Sequence, residues 1–324
     1  MKTENLLIID DEPSIRTLLA RLVIVSLLFI SSLIYAETTM TGYIESYYST
    51  LQEPYLYSFN RKDQLAVNHA LFLVNHTNEN YRASLGLQAG AYVEDNYAAE
   101  PNYFHPIFQA SVGAKLMQNV WLDAGIMPSH IGFESAIGKD NWNLRRSIMA
   151  DNSPYFETGA KVTCDPGTNW SAAIMVLNGW QTIADTGARA VGTQITYKPN
   201  DSVVINYSTY LESRQFHDFY VQLQVNSHWS IAGLFDLGIQ SKKTWYGWAV
   251  LNKYKLNDSW TIAGRIESYQ DPDHIIIAGD SQINGLSANV DYAVNKNILL
   301  RVEERYLDKA ATQWNTTTSL SIGF

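Results

Sequence analysis

The chain has 324 residues, of which 46% are hydrophobic, 12% aromatic and only 17% charged. That aromatic content excludes a disordered chain, and a helical membrane bundle would need several apolar runs of ~20 residues. A formal net charge of −9 with no basic block argues against nucleic acid as a partner. The single Cys164 excludes an intramolecular disulfide and a cysteine-based zinc site, and no cofactor or metal is expected.

Leu6–Arg16, with its acidic Asp10, Asp11 and Glu12, resembles the opening strand and acidic pair of a response-regulator receiver domain. The likeness covers roughly twenty residues of a fold that needs more than a hundred. Residues 1–22 are therefore expected to be a fused or misassigned start with no fold of their own. Residues 23–36 follow Arg16 and Arg21, are apolar from Val23 to Ile34 and end in Ala36 before Glu37. A basic flank, a short apolar core and a small terminal residue describe a secretory signal. Export would leave residues 37–324 as one unit.

From Thr38 onward, segments of ten to thirteen residues alternate apolar and polar, and each stops at a turn signal. In the last one, Trp314, Thr316, Thr318, Leu320, Ile322 and Phe324 share a face, against Asn315, Thr317, Ser319, Ser321 and Gly323. His217, Phe219, Val221 and Leu223 likewise oppose Asp218, Tyr220, Gln222 and Gln224. A period of two marks a sheet with one apolar and one polar face. Turn residues at Asn78, Gln118-Asn119, Pro166-Gly167, Asn200-Asp201, Asn226-Ser227, Asn257-Asp258 and Asn295 punctuate the pattern. Counting between them gives about sixteen strands, with fourteen to eighteen allowed, and every second connection short.

A soluble sandwich also alternates, but three features favour a transmembrane antiparallel up-and-down β-barrel. The strands exceed the ~5–6 residues usual in globular sheets and match the ~9–11 needed to cross a bilayer. Trp170, Trp229, Trp260 and Trp314 open strands while Tyr197, Tyr254, Tyr292 and Tyr306 close them, as interfacial girdles require. The chain also ends in an aromatic, Phe324, on the apolar face; such an end resembles the signal read by the outer-membrane assembly machinery.

The stretch Asp123-Ala-Gly125-Ile-Met-Pro-Ser-His130-Ile-Gly132-Phe-Glu134, followed by Asp140-Asn141, Arg146-Ser147, Ser153-Pro154-Tyr155-Phe-Glu157-Thr-Gly159 and Asn178-Gly179-Trp180-Gln181, resembles β-barrel porins of the OmpL-like type, common in Bacteroidetes. Gly42-Tyr43-Ile-Glu45-Ser-Tyr47-Tyr48 fits the first strand of that family. The resemblance implies an outer-membrane barrel with porin activity.

In such a barrel the apolar face meets lipid and the polar face lines a lumen wide enough for water. Lumen-wall candidates are Arg82, Gln88, Lys115, Glu157, Lys161, Gln194, Glu212, Asp218, Asp236, Arg265, Glu267, Arg301, Glu303 and Arg305. These mixed signs argue against strong selectivity for one sign of charge; the same residues could simply pair across strands. His69, His217 and Cys164 fall on the lipid-facing register. The connection 130–153 is too long for a hairpin and is the third on the long side. It is expected to fold inward and narrow the lumen, with Glu134, Lys139, Asp140, Arg145, Arg146 and Asp151 facing passing solutes. If it stayed outside, those charges would only meet bulk water.

Partners expected on these grounds are the lipid bilayer, the assembly machinery and small hydrophilic solutes, with a homotrimer as a candidate assembly. Two alternatives are a barrel enzyme of lipase or esterase type and a non-conducting structural or adhesin barrel. No His lies in a catalytic motif, and Ser129 and His130, as neighbours on an extended chain, would point to opposite sides. His130 and Glu134 are expected to order the loop through hydrogen bonds.

Overall fold

A computed structural model describes residues 37–324 apart from 54, 185 and 310–312; the receiver-like stretch 1–22 and the apolar segment 23–36 lie outside the described residues. Among the described residues, sixteen strands form one closed antiparallel cylinder in which each neighbour in sequence is a neighbour in space. In chain order they are β1 Glu37–Ser49, β2 Leu65–Thr77, β3 Tyr81–Ala89, β4 Ile107–Met117, β5 Val120–Pro128, β6 Phe156–Cys164, β7 Trp170–Leu177 and β8 Ala190–Asn200. There follow β9 Val203–Leu211, β10 Arg214–Gln224, β11 Trp229–Gln240, β12 Lys243–Lys255, β13 Trp260–Gln270, β14 Gln282–Ala293, β15 Ile298–Asp308 and β16 Gln313–Gly323. Two short helices, α1 Ala91–Asn96 and α2 Ile148–Asp151, sit in connections. No described helix is long and apolar enough to cross a membrane, which says nothing of a barrel that crosses with strands.

The period of two decides the two faces. Along β16, Trp314, Leu320, Ile322 and Phe324 are exposed outward, while Asn315, Thr317, Ser319 and Ser321 are buried inside. Along β10, Phe219 and Leu223 are exposed and Asp218 is buried. The outside is thus an apolar belt, and aromatic pairs rim it. Trp170 stacks on Tyr197 with ring centroids 4.1 Å apart, and Trp260 meets Tyr292 at 4.6 Å near the short-turn end. Tyr306 meets Trp314 at 5.0 Å near the opposite end. Both belts stand where amphipathic rings gain from a wet edge beside hydrocarbon. Cys164 is exposed at the end of β6.

One register expectation fails. His69 faces the interior, fully buried, with its Nε2 3.2 Å from Gln88 Oε1. A bulge is the cause: Glu45 pairs with His69 and Ser46 with Val67, so Asn68 is the extra residue. Strict alternation from Val67 therefore lands on the wrong side after one step. His217 keeps its outward register and meets Tyr207 Oη at 2.7 Å.

Closure occurs between β1 and β16, in register from Tyr43↔Gly323 to Ser49↔Thr317. Gly42 and Phe324 exchange both backbone bonds, at 2.7 and 2.9 Å. The Phe324 ring lies over Gly42, where a Cβ would come within 2.3 Å of it. A side chain at Gly42 must displace that ring. Gly42→Val should destabilise the folded barrel by about 1–3 kcal/mol. Urea unfolding in detergent, followed by heat-modifiable gel mobility, should show that loss, and Phe324→Ala in the same chain should largely remove it.

Candidate pore and constriction site

Short turns occupy one end of the cylinder and longer connections the other. On the long side, 212–213 and 241–242 are two-residue hairpins, and Ser241 and Lys242 both adopt positive φ, 53° and 66°, as a tight primed turn requires. Other long-side connections turn inward and meet apolar wall residues. Leu51, Tyr55 and Leu56 of connection 50–64, Ile148 and Met149 of α2, and Ile277 of connection 271–281 pack with Tyr210, Phe216, Leu234, Trp245 and Leu251. The interior is therefore not polar throughout, as alternation alone implied. Its long-loop half is filled by an apolar core.

The third long connection spans 129–155, two residues more than expected at the far end and one at the near end. A loop taken out of water must find partners for its own backbone groups, and the inner wall supplies them. Arg301 donates to the carbonyls of Gly138 (2.8 Å), Asn141 (3.1 Å) and Trp142 (2.9 Å) while Asp291 holds its Nε at 2.8 Å. Arg265 donates to the Arg145 carbonyl at 2.7 Å. Glu303 accepts the Arg145 N–H at 2.6 Å, and Glu267 accepts the Ile148 N–H at 2.7 Å. Glu267 also binds Arg265 at 3.0 Å and Arg305 at 2.7 Å. Four of the lumen-wall candidates thus serve as the loop's seat.

The loop's own charges behave differently from expectation. Lys139 and Asp140 are exposed, but Arg145, Arg146 and Asp151 are buried, as is the Glu134 side chain. Glu134 accepts the backbone N–H of Ser147 at 3.0 Å and the Ser147 hydroxyl, and so braces the cap of α2. Burial raises its carboxyl above the ordinary range, against the pull of Arg265. Arg145 reaches the Ser58 carbonyl at 2.9 Å; burial and the nearby Arg305 bring its guanidinium down to about 10, still charged at neutral pH. Arg146 pairs with Asp151 at 3.1 Å and lies 3.6 Å over the Tyr155 ring. These four groups brace the loop instead of facing solutes, because a charge in a closed interior is tolerable only when partnered.

At the near end, Ser129 and His130 do not point apart. The strand ends at Pro128, and both reach Glu157, the Ser129 hydroxyl at 3.3 Å and His130 Nδ1 at 2.8 Å. His130 Nε2 lies 2.8 Å from the Thr209 carbonyl. Both ring nitrogens face acceptors, which only the doubly protonated ring satisfies. Burial alone would lower its pKa, but the hydrogen bond and charge of Glu157 outweigh it, and the net shift is upward. Gly192 leaves room for this ring, since a Cβ there would lie 2.8 Å from His130 Cε1.

The remaining wall candidates are spread along the barrel axis. Arg82 pairs with Asp123 at 2.5 Å, and Lys115, Lys161 and Gln194 sit on inward registers of β4, β6 and β8. Gln88 is buried beneath connection 90–106, donating to the carbonyls of His105 and Ile107. Asp218 and Asp236 are register partners across β10 and β11, both buried. Glu212 lies in the 212–213 hairpin and takes the Tyr210 hydroxyl at 3.1 Å. Alternation did not single out Asp123, Asn143 (2.9 Å to Asn289) or the inward-folded connection 50–64. The last carried a signal: Leu51, Tyr55, Leu56 and Phe59 are too apolar for a surface loop.

A closed sixteen-strand cylinder, apolar outside and with a long connection seated on its inner wall, defines an outer-membrane barrel of the porin class. The family model described as "Putative beta-barrel porin-2, OmpL-like" matches residues 37–322, and the chain belongs to that family. No curated protein sequence matches it significantly. Among solved structures it resembles an anion-selective porin from Comamonas acidovorans, with TM-score 0.62 and 9% identity over 89% of this chain and 100% of that one. It also resembles Salmonella typhi OmpF in complex with daunomycin, with TM-score 0.62 and 12% identity over 90% and 98%. A third is OmpT, an outer membrane protein of Vibrio cholerae in trimer form, with TM-score 0.61 and 8% identity over 89% and 99%. At such identities the likeness concerns the fold.

Two outcomes follow from the loop's seat. Glu267→Ala strips Arg265, Arg305 and the Ile148 N–H of one partner, so urea unfolding should report a loss of about 3–5 kcal/mol. His130, whose folded pKa is raised, should hold the loop fully below its unfolded value of about 6.5 and release that contribution as pH rises through the folded value. Amide exchange of residues 129–134 should accordingly quicken toward alkaline pH by more than its intrinsic rise, and His130→Gln should flatten the excess.

Proposed function

We propose that the barrel passes small hydrophilic solutes by passive diffusion and that loop 129–155 sets the narrowest point. The observation that carries this is the seating of the loop: it is held on β13, β14 and β15, not merely draped over the mouth. On its opposite flank, a cavity of about 350 Å³ separates it from β2, β4 and β5, lined by Leu73, Phe108, Gln109, Phe133, Ser135 and Ile137. Solutes would pass on that side. Lys139 and Asp140 are the loop charges they would meet; Arg265, Glu267, Arg301, Glu303 and Arg305 would set the loop's position.

In this reading the chain is not an enzyme. His130 spends both nitrogens on Glu157 and Thr209, so it has no lone pair to take a proton from a nucleophile. Residues 23–36 would direct export, residues 1–22 would take no part in the barrel, and residues 37–324 would be its single domain. Phe324, outward at the seam with Gly42, would present the end of β16 to the assembly machinery. A homotrimer is proposed as the assembly, in line with the trimer form of the Vibrio cholerae neighbour; cross-linking in native membranes would reveal it.

Planar-bilayer recording tests the central claim. Wild-type protein should give discrete conductance steps, and deletion of residues 135–143 should enlarge them. Unchanged steps would remove the loop from the pore; no steps from a folded barrel would remove the pore itself.

A further inference from the structure

The geometry points to a lumen that prefers small anions, through four ammonium groups, Lys115, Lys139, Lys161 and Lys253, spaced around its short-turn half. The inference rests on the proposed pore and adds a substrate class to it.

Counting interior charges by type gives a near balance of acids and bases, and a balanced wall selects neither sign. Sorting them by solvent access removes the balance. Acids on the wall are withdrawn or neutralised. Asp123 is held by Arg82 through two bonds of 2.5 and 2.6 Å, and Asp291 by Arg301 at 2.8 Å. Glu267 faces two arginines, and Glu157 is buried against His130 Nδ1 at 2.8 Å. Glu45 is fully buried beneath Gly138, with Asn68 donating to it at 3.1 Å. Asp218 and Asp236 are 2% and 6% exposed. A desolvated, paired charge contributes little to the field a passing ion meets.

The lysines are the opposite case. Lys115 and Lys139 are exposed, Lys161 and Lys253 half-buried, and none forms an ion pair with a described residue. Three rest on aromatic faces instead: Lys253 Nζ lies 4.7 Å from the Trp142 ring centre, Lys139 Nζ 5.8 Å from Tyr43 and Lys115 Nζ 5.9 Å from Trp121. An aromatic face orients an ammonium group without cancelling its charge. The four stand on β4, on β6, on β12 and on the loop where it approaches Gly323 of β16, so they surround the passage. Asp140, next to Lys139 in the same turn, is an exposed acid beside them, and the exposed Glu37, Glu79, Asp165, Asp201 and Asp258 stand at the short-turn rim. In a narrow passage with low-dielectric walls, unpaired charge of one sign concentrates counter-ions. Small inorganic anions and carboxylates are the solutes this favours.

Reversal potential in a tenfold KCl gradient across a planar bilayer tests it, using the full barrel refolded in detergent. Wild-type channels should be more permeable to chloride than to potassium, by about threefold or more. Lys115→Glu, Lys161→Glu and Lys253→Glu should each shift the potential toward potassium, and the triple variant should invert it. Milder Lys→Gln versions keep the test open should a glutamate variant misfold, and heat-modifiable mobility checks each fold. Lys242→Glu, in the 241–242 hairpin at the far end, should leave the potential near wild type. Conductance with a potential of zero or on the potassium side would overturn the anion preference and spare the pore. Absence of conductance from a folded barrel would overturn both.

Discussion

A backbone surrounded by hydrocarbon has no water to turn to, so each of its amides and carbonyls must find a partner within the protein. That constraint closes the sheet, and closure makes an inside. Sixteen ladders satisfy the wall, and the last one joins β16 to β1 through the reciprocal bonds of Gly42 and Phe324. The same constraint returns within the cylinder. A loop that leaves water to enter the lumen carries a full set of backbone groups with it. Arg301, Arg265, Glu303 and Glu267 answer that need by bonding to loop carbonyls and N–H groups.

The charged wall therefore does two jobs in two places. In the half filled by the loops, charges are buried, matched and structural; their partners are other charges or backbone dipoles. In the half facing the short turns, lysines keep contact with solvent and rest on aromatic rings. Position along the barrel axis, more than residue type, separates the two. Lys253 and Arg265 have similar chemistry, yet one lies beside the turn end of β12 and the other beneath the seated loop.

The apolar core inside the barrel adds rigidity to the seated loop. Ile148 and Met149 of α2 meet wall residues near Trp245 and Ala249, while connection 50–64 presses Leu56 from another side. Loop 129–155 is thus held by packing as well as by ion pairs. Its two exposed charges, Lys139 and Asp140, ride on a short 3₁₀ turn whose Gly138 carbonyl Arg301 fixes. A loop held this way keeps its place without a covalent tie.

Much of the wall was legible in the amino-acid order, because a two-residue period states which side of a sheet each residue takes. Strand number, turn ends, aromatic rims, the outward Phe324 and the third long connection all follow from local pattern. Long-range pairing was not legible. That Arg145 is buried against Ser58 and Glu303, or that Glu134 braces Ser147, depends on how far the loop enters, and alternation carries no depth coordinate. His69 shows the limit within a strand, since one extra residue at Asn68 reverses the parity. The sequence by itself determined a cylinder and its two faces, because side-chain direction in a strand is a local property. Only the tertiary structure decided which interior charges meet water, because burial depends on what else folds into the same space.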